Sequence, residues 1–371
     1  MKTDNLPGLY IHVPFCEEKC VYCDFFSEPP DGRLESWKDA LLRKARRKAG
    51  FASLFGSLYI GGGTPSLLPP GMLAGITGRI MDIYNFDGSA EITVEVNPEH
   101  VTPDLVILLR DAGVNRLSLG VQSFRDDELK FLGRRHRGAD SERALDICME
   151  SGIDNVSIDL IYALCGQDLK NWEYNLKRAL VFRPDHLSCY QLTVKEGTVL
   201  WDLAGNGEVS FPAEEVQRDM FIAASGSLKG AGYSHYEVSS FCLTGRESRH
   251  NRLYWRHLPY LGLGPSAHSF DGSRRWWNSR SLDEYIGDME ASPAGAEELS
   301  PAQLDLERIF LGLRTSEGVN LDLAVRYSSG EGVIEMLSER GLAEVRDGRL
   351  VPTLEGYLFS DSIPLYFTGP N

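Results

Sequence analysis

Short apolar runs rich in β-branched residues alternate with longer amphipathic stretches through the first two thirds of the chain. The runs predict six strands, at Leu9–Val13, Leu58–Ile60, Glu91–Val96, Arg116–Gly120, Val156–Ile161 and Leu187–Leu192. Helical spacing predicts helices between them, at Leu34–Lys48, Pro103–Ala112, Asp126–Leu132, Ser141–Ser151 and Trp172–Val181. This alternation is typical of βαβ units, so it predicts an α/β fold with a parallel sheet arranged as an open or closed barrel.

Polar residues follow the predicted strands at the points where function sits in such barrels, the carboxyl ends of the strands. These residues are His12 with a cysteine cluster, the segment Gly61 to Ser66, Glu95 with Asn97, the segment Gly120 to Ser123, and Asp159. Since the carboxyl ends of parallel strands share one edge of the sheet, we expect these groups to meet there.

The last third of the chain has a different pattern. The stretch Ala291–Glu298 is small, acidic and contains proline, so it predicts a linker. Beyond it the pattern predicts three helices, a hairpin turning at Asp347-Gly348, and a last helix. Their bounds are Pro301–Arg314, Leu321–Ser328, Gly332–Arg340, Leu342–Val345, Leu350–Pro352 and Thr353–Phe359. Together they predict a small α+β region with a winged-helix-like module.

Charge and hydropathy narrow the class of protein. The chain has 371 residues with 38 Lys and Arg against 53 Asp and Glu, a formal net charge of −15, which argues against nucleic acid as a partner. Residues 301–371 hold six arginines, no lysine and eleven acids, so the winged module favours a scaffold or protein contact. The first fifteen residues lack a secretory pattern and no apolar run is long enough to span a membrane, which predicts a soluble, cytoplasmic protein.

Seven cysteines are too irregular in number and spacing for a disulfide framework. Cys148, Cys165, Cys189 and Cys242 are scattered, as buried packing residues usually are. Cys16, Cys20 and Cys23 instead form a C-x3-C-x2-C cluster directly after the first predicted strand. Three thiolates can hold an iron–sulfur cluster and leave one iron open, whereas a zinc site normally needs a fourth ligand. A zinc knob or three unrelated thiols remain the alternatives.

The cysteine spacing closely resembles the cluster signature of radical S-adenosylmethionine (SAM) proteins. Further segments resemble one family of that superfamily, HemW and the oxygen-independent coproporphyrinogen III dehydrogenase HemN. They are GLYIHVPFCEEKCVYCDF, YIGGGTPS, ITVEVNP, RLSLGVQSF and SIDLIYAL. The resemblance runs from Leu9 to roughly Phe359. It implies a partial (β/α)6, TIM-like radical SAM barrel over residues 1–235, a connecting segment over 236–298 and a winged-helix-like domain over 299–371.

The resemblance also implies cofactors and their sites. Cys16, Cys20 and Cys23 would ligate a [4Fe–4S] cluster, and Gly62, Gly63 and Thr64 would line the methionine end of SAM. The remaining implied SAM residues are Tyr10, Glu95, Gln122, Arg134 and Asp159. Their chemistry is compatible, because a carboxylate accepts from an ammonium group and a guanidinium forms a planar fork with a carboxylate.

Three features separate the HemW branch from the dehydrogenase. The dehydrogenase has a further cysteine two residues after the third, where this chain has Phe25, and a longer segment before its cluster, where this chain has fifteen residues. The segment His250-Asn251-Arg252-Leu253-Tyr254-Trp255 also matches the HNxxYW signature of HemW. Members of that branch act as haem chaperones, which hand haem to apoproteins such as subunits of membrane respiratory enzymes.

The HNxxYW segment has a chemistry that suits haem. Imidazole is a common axial ligand of haem iron, so His250 is the predicted ligand, with His257 and His268 as nearby competitors. Tyr254 and Trp255 could flank a porphyrin, and residues 245–257 hold four arginines against one acid, which suits propionates. The alternative is an inter-domain hinge with a buried histidine and two core aromatic side chains.

One segment departs from the family. After Tyr162 the family continues with Gly-Leu-Pro, where this chain has Ala163-Leu164-Cys165. Replacing glycine and proline changes the backbone angles that the loop can adopt, so the shape of the pocket on the SAM side is in question.

The favoured function is a haem chaperone that retains the cluster and SAM, with haem and a haem-accepting apoprotein as partners and a homodimer as one possible assembly. No catalytic residue is assigned. The alternatives are coproporphyrinogen III dehydrogenation, or another radical SAM reaction on a tetrapyrrole.

Overall fold

The computed structural model describes residues 5–290 and 292–367. Its first part alternates six strands with helices, as the hydrophobic pattern predicts. The strands are β1 (Gly8–Val13), β2 (Phe55–Gly62), β3 (Phe86–Val96), β4 (Arg116–Gln122), β5 (Asn155–Tyr162) and β6 (His186–Gln191). The helices are α1 (Leu34–Arg47), α2 (Pro70–Ile83), α3 (Pro103–Asp111), α4 (Asp126–Phe131), α5 (Gly138–Glu150), α6 (Leu169–Phe182), α7 (Val199–Gly205) and α8 (Glu214–Gly230).

The next part adds strands to both edges of this sheet. It comprises β7 (Ser234–Glu237), β8 (Ser240–Cys242), α9 (Arg249–Trp255), β9 (Tyr260–Leu263), β10 (His268–Phe270), β11 (Arg274–Trp277), α10 (Leu282–Gly287) and β12 (Gly295–Glu298). The last part comprises α11 (Pro301–Gly312), β13 (Val319–Asn320), α12 (Leu321–Tyr327), α13 (Val333–Glu339), β14 (Ala343–Arg346), β15 (Arg349–Pro352) and α14 (Leu354–Leu358).

Strands β1 to β6 pair in parallel and in chain order, which confirms the predicted barrel. The full sheet runs β12-β11-β10-β9-β1-β2-β3-β4-β5-β6-β8-β7. Strands β9 and β8 therefore occupy the outer sides of β1 and β6, so the barrel stays open. Apolar side chains that alternate along the strands pack against the surrounding helices and form the main core.

The predicted linker Ala291–Glu298 is wrong over its second half. Residues Gly295–Glu298 pair with Trp277 to Arg274 as the antiparallel edge strand β12. Ala291 itself lies outside the described residues. Arg274 and Arg275 face Glu298 and Glu297 across this ladder, so the acidic composition that suggested a linker instead supplies cross-strand ion pairs.

The C-terminal region has its own small core, and the sheet order β13-β15-β14 with three helices forms the predicted winged-helix-like module. Strands β9 to β12, which lie between 236 and 298, join the barrel sheet, and the predicted division at 235 and 298 stays a prediction. Among the helices of the described ranges, none is long and apolar enough to cross a membrane.

Candidate functional site

A cavity of about 450 Å³ opens at the carboxyl ends of the barrel strands, and all three clustered cysteines line it. The loop that follows β1 carries them, and it turns tightly where the Cys23 amide donates to the Cys20 carbonyl at 3.1 Å. Cys16 Sγ lies 3.3 Å from Thr64 Oγ1, and Arg134 Nη1 lies 3.7 Å from Cys20 Sγ. The loop is thus held against the barrel at two of its three thiols.

The thiols are not arranged as a closed site for a single ion. Within the described ranges, no three Cys, His, Asp or Glu side chains are arranged to hold one metal ion. The three thiols instead border the cavity from one loop, which leaves room for a wider inorganic group. Burial, together with the neighbouring Cys20 and Cys16, raises the pKa of Cys23 to about 11, so three thiolates here need a cationic centre between them.

The glycine segment after β2 allows close approach of backbone to this cavity. Gly62 has a φ of 107°, a left-handed conformation that favours glycine. A Cβ on Gly63 would lie 2.6 Å from the Phe15 carbonyl oxygen, so the crossing of this loop over the cysteine loop leaves no room for a side chain. Gly62, Gly63 and Thr64 all line the cavity, and the absence of side chains at the two glycines lets a ligand approach their backbone closely.

Glu95 at the end of β3 is the best-held carboxylate of the cavity. Tyr59 donates its hydroxyl to Glu95 Oε1 at 2.8 Å, and the Gly62 amide donates to Oε2 at 3.1 Å. Burial raises the pKa of Glu95 to about 7, and the nearby Asp159 adds to that rise. A cationic ligand group beside Glu95 would reverse this shift, because an opposite charge favours the ionised carboxylate.

Arg134 is fixed with part of its guanidinium unpaired. Its Nη2 donates to Asn97 Oδ1 at 2.8 Å and to the Gly120 carbonyl at 2.9 Å, while its Nε is buried without a hydrogen-bond partner. A buried donor without a partner is costly, so it indicates a group that is absent here. Gln122 adopts a left-handed φ of 64°, which is backbone strain of the kind that clusters at functional sites.

Asp159 on β5 lies across the same cavity, where Ser118 donates to its Oδ2 at 3.3 Å. Burial raises its pKa despite that hydrogen bond. The predicted SAM residues therefore meet in one cavity, with one exception. Tyr10 does not line it; its hydroxyl hydrogen-bonds His12 Nδ1 at 3.1 Å, and its ring packs beside Tyr59.

Tyr59 is one of the cavity residues that the sequence pattern did not indicate. It lines the cavity and positions Glu95, yet it lies within an apolar run rather than after it. Strand alternation could have indicated it, because Tyr59 is two positions before Gly61 and so shares the inner face of β2. Asn97 accepts a hydrogen bond from Arg134, but the sequence indicated it only as a polar residue that follows β3.

The predicted haem ligand His250 lies away from this cavity, at the opposite end of the barrel. It is 1% exposed, and its ring stacks on Tyr59 at a centroid distance of 5.1 Å. Its Nδ1 pairs with Ser57 Oγ at 2.8 Å and its Nε2 with the Tyr254 hydroxyl at 2.9 Å. Because both nitrogens are occupied, this geometry leaves none for iron, and His250 instead fixes α9 against β2.

The two aromatic residues of the HNxxYW segment border different cavities. Tyr254 borders an aromatic cavity beneath α11, whereas Trp255 borders a separate one near β13. The four arginines that could meet propionates already have partners. Arg246 pairs with Asp185, Arg249 donates to the Ser89 carbonyl, and Arg252 and Arg256 both pair with Glu317.

Ala163, which stands where the family has glycine, keeps the backbone conformation of a glycine. Ala163 adopts a φ of 61°, so the loop after β5 keeps a glycine-like, left-handed conformation with an alanine in place. Cys165 does not line the cavity. Cys148, Cys189 and Cys242 are buried, as packing residues should be.

Sequence comparisons find relatives along the whole chain. The family model for the radical SAM superfamily matches residues 10–179, and that for the HemN C-terminal domain matches residues 299–359. The heme chaperone HemW of Bacillus subtilis is 33% identical over 98% of this chain and all of its own length. The heme chaperone HemW of Synechocystis is 36% identical over 84% of this chain and 78% of its own.

The chain is also similar to a mitochondrial protein and to a solved structure. The radical S-adenosyl methionine domain-containing protein 1 of Danio rerio is 34% identical, covering 85% of this chain and 76% of its own. The coproporphyrinogen III oxidase HemN of Escherichia coli superposes with a TM-score of 0.82 at 22% identity, covering 98% of this chain and 90% of its own. At that identity the superposition shows a shared fold.

Proposed function

The chain belongs to the HemW family of the radical SAM superfamily, and from that premise we propose that it is a haem chaperone that also binds a [4Fe–4S] cluster and SAM. The observation that carries the cofactor part is the single cavity where the three thiols meet the glycine segment, Glu95 and Arg134. The chaperone part follows the relatives' name and the exposed Phe25, 61% exposed, where the dehydrogenase has a fourth cysteine.

Each polar group of the cavity has a part in holding the cofactors. Cys16, Cys20 and Cys23 would hold the cluster, which in its reduced state would supply the electron for cleavage of SAM in this superfamily. Arg134 lines the cavity, and its planar guanidinium suits a carboxylate there. Glu95, fixed by Tyr59, accepts from an ammonium group.

The remaining contacts fit a ribose and a backbone-lined ligand. Asp159 and Gln122 present acceptors for hydroxyl groups on the wall opposite the glycine segment. Gly62 and Gly63 bring main-chain groups to the ligand surface, where Thr64 also lies. In this proposal the chain passes haem to an apoprotein, such as a haem protein of a respiratory enzyme.

The test is an anaerobic titration of the cluster-reconstituted full chain with ferric haem, followed by mixing with apomyoglobin as a model acceptor. Saturable 1:1 binding, then transfer of the Soret band to the globin, is the expected result. A chain that binds no haem saturably overturns the chaperone proposal. Conversion of coproporphyrinogen III with SAM and a reductant would replace it with the dehydrogenase function.

A further inference from the structure

A second cavity, of about 620 Å³, lies on the sheet extension formed by β9 to β11, beneath α11. Its wall continues the inner face of the barrel, because Tyr260 on β9 lies opposite Gly8 on β1 in a parallel pair. The same face continues across β10 and β11, because Phe270 lies opposite Tyr260 and Trp277 lies opposite His268 in the strand register. Barrel interior and second cavity therefore share one concave surface.

The walls of this cavity are flat and aromatic. His257 stacks on Phe270 at a centroid distance of 4.5 Å, and His268 stacks on Trp277 at 5.6 Å with 29° between the rings. Leu306 and Phe310 of α11 close the opposite side. A volume of this size is within the range of ligand pockets, about 300–1,000 Å³, and such walls suit a wide, planar, mainly apolar molecule.

Two imidazoles border the cavity, and neither has both nitrogens occupied. His268 is exposed and its ring makes no hydrogen bond within the described ranges. His257 has a side chain only 6% exposed, and its Nε2 lies 2.8 Å from Glu307 Oε2 while its Nδ1 has no partner. His250, in contrast, is fully satisfied.

His268 is the better placed of the two for a metal. Its exposed ring is reachable from the cavity, whereas His257 Nδ1 is closed off from it.

We propose that the aromatic cavity beneath α11 is the haem site of this chain, with His268 as the protein ligand of the iron. This assignment rests on the proposed function. It moves the ligand from His250, inside the HNxxYW segment, to a histidine that lies outside it. Tyr254 of that segment still borders the site, where its ring packs edge-on against Tyr260 at 4.7 Å.

The experiment compares haem titrations and low-temperature electron paramagnetic resonance of the ferric-haem complex for five forms of the full chain, the unaltered protein and four variants that include His257→Ala. His268→Ala removes the ligand, and Leu306→Trp fills the cavity. Leu108→Trp, on the exposed side of α3, is the matched control for the added ring. We expect His268→Ala to weaken binding at least about tenfold, the effect that losing even an outer-shell partner has on metal affinity. Its altered iron signature should return when free imidazole is added.

The outcomes separate this assignment from the proposed function. Leu306→Trp should also weaken binding at least about tenfold, since it removes the space, and Leu108→Trp should leave binding unchanged. If the unaltered chain binds haem 1:1 and both His268→Ala and Leu306→Trp leave affinity and signature unchanged, the cavity assignment alone is overturned. If His257→Ala changes the signature and His268→Ala does not, His268 is the wrong ligand. If the unaltered chain binds no haem, the chaperone proposal itself falls.

Discussion

The two ends of the barrel differ in whether their buried polar groups have hydrogen-bond partners within the protein. At the amino end, His250 has a partner for each ring nitrogen, and the carboxylate of Glu91 accepts the backbone amides of Arg249 and His250. At the carboxyl end, Arg134 keeps an unpaired Nε, and Glu95 and Asp159 are buried with raised pKa values. The groups around His250 are thus paired within the protein, whereas those of the cavity are not. Arg116, at the start of β4, is the exception at the amino end, because two of its buried nitrogens have no hydrogen-bond partner.

This difference shows how to distinguish a structural polar residue from one that binds a ligand. A histidine in a recognisable signature is structural when the fold satisfies every polar atom it has. Buried groups left with spare donors or unfavourable ionisation are costly to the protein alone, so they indicate a ligand that compensates them. The difference can be tested by changing each end separately.

The largest effect is expected at the carboxyl end. Cys20→Ala removes one of three thiols and should abolish the reconstituted cluster, since no other cysteine borders the cavity. Iron content and the visible charge-transfer absorbance of the cluster report the loss. Cys165→Ala, in the loop after β5, is the matched control and should keep its cluster. A Cys20→Ala protein with full iron content would contradict the site.

At the amino end, His250→Ala should act on stability rather than on ligand contact. It removes two buried hydrogen bonds and leaves Ser57 and Tyr254 unpaired, so we expect a loss of about 2–4 kcal/mol in the free energy of unfolding. His268→Ala, at an exposed position, should cost about 0.5 kcal/mol or less. Urea unfolding of both cluster-free variants measures the difference. Equal midpoints would contradict a structural role for His250 that His268 lacks.

The raised pKa of Glu95 predicts a pH dependence at the carboxyl end. The folded state holds this proton up to about pH 7, whereas the unfolded carboxyl loses it near 4.5, so stability falls as pH rises between those values. Glu95→Gln lacks this penalty, and its stability relative to the unaltered chain should grow by about 2 kcal/mol from pH 5 to pH 8.

Urea unfolding at pH 5, 6, 7 and 8 measures that gain. Burial also raises the pKa of Glu237 to about 7, but Glu237 is present in both proteins, so their difference isolates Glu95. Glu150→Gln, an exposed exchange on α5, should show no such growth. A gain that is flat across this range would mean that Glu95 is not held protonated in the empty cavity.

The smallest effect concerns the strained rim of the carboxyl end. Ala163→Gly should stabilise the fold by about 0.5–1 kcal/mol, because glycine adopts a left-handed φ without the steric cost that alanine carries. Ala223→Gly, within α8, should have the opposite sign and a similar size. Thermal unfolding of the two variants compares them, and a destabilised Ala163→Gly would show that the loop does not store this strain.

The sequence predicted the barrel well because a parallel strand buried on both faces leaves a long apolar signature. It failed at Gly295–Glu298, where composition resembled a linker but pairing with β11 formed a strand. It also failed to indicate Tyr59, whose function depends on the face of β2 that it occupies. Both failures concern contacts between segments that are distant along the chain.

The sequence by itself determined the alternation of strands and helices, the cysteine spacing and the family, because each depends on residues that are near one another along the chain. Only the tertiary structure decided which polar atoms have partners. It satisfied His250 through Ser57 and Tyr254 and left His268 free of hydrogen bonds in the described part of the chain. The physical reason is that a hydrogen bond depends on distance in space, and folding sets that distance between segments that no local pattern connects.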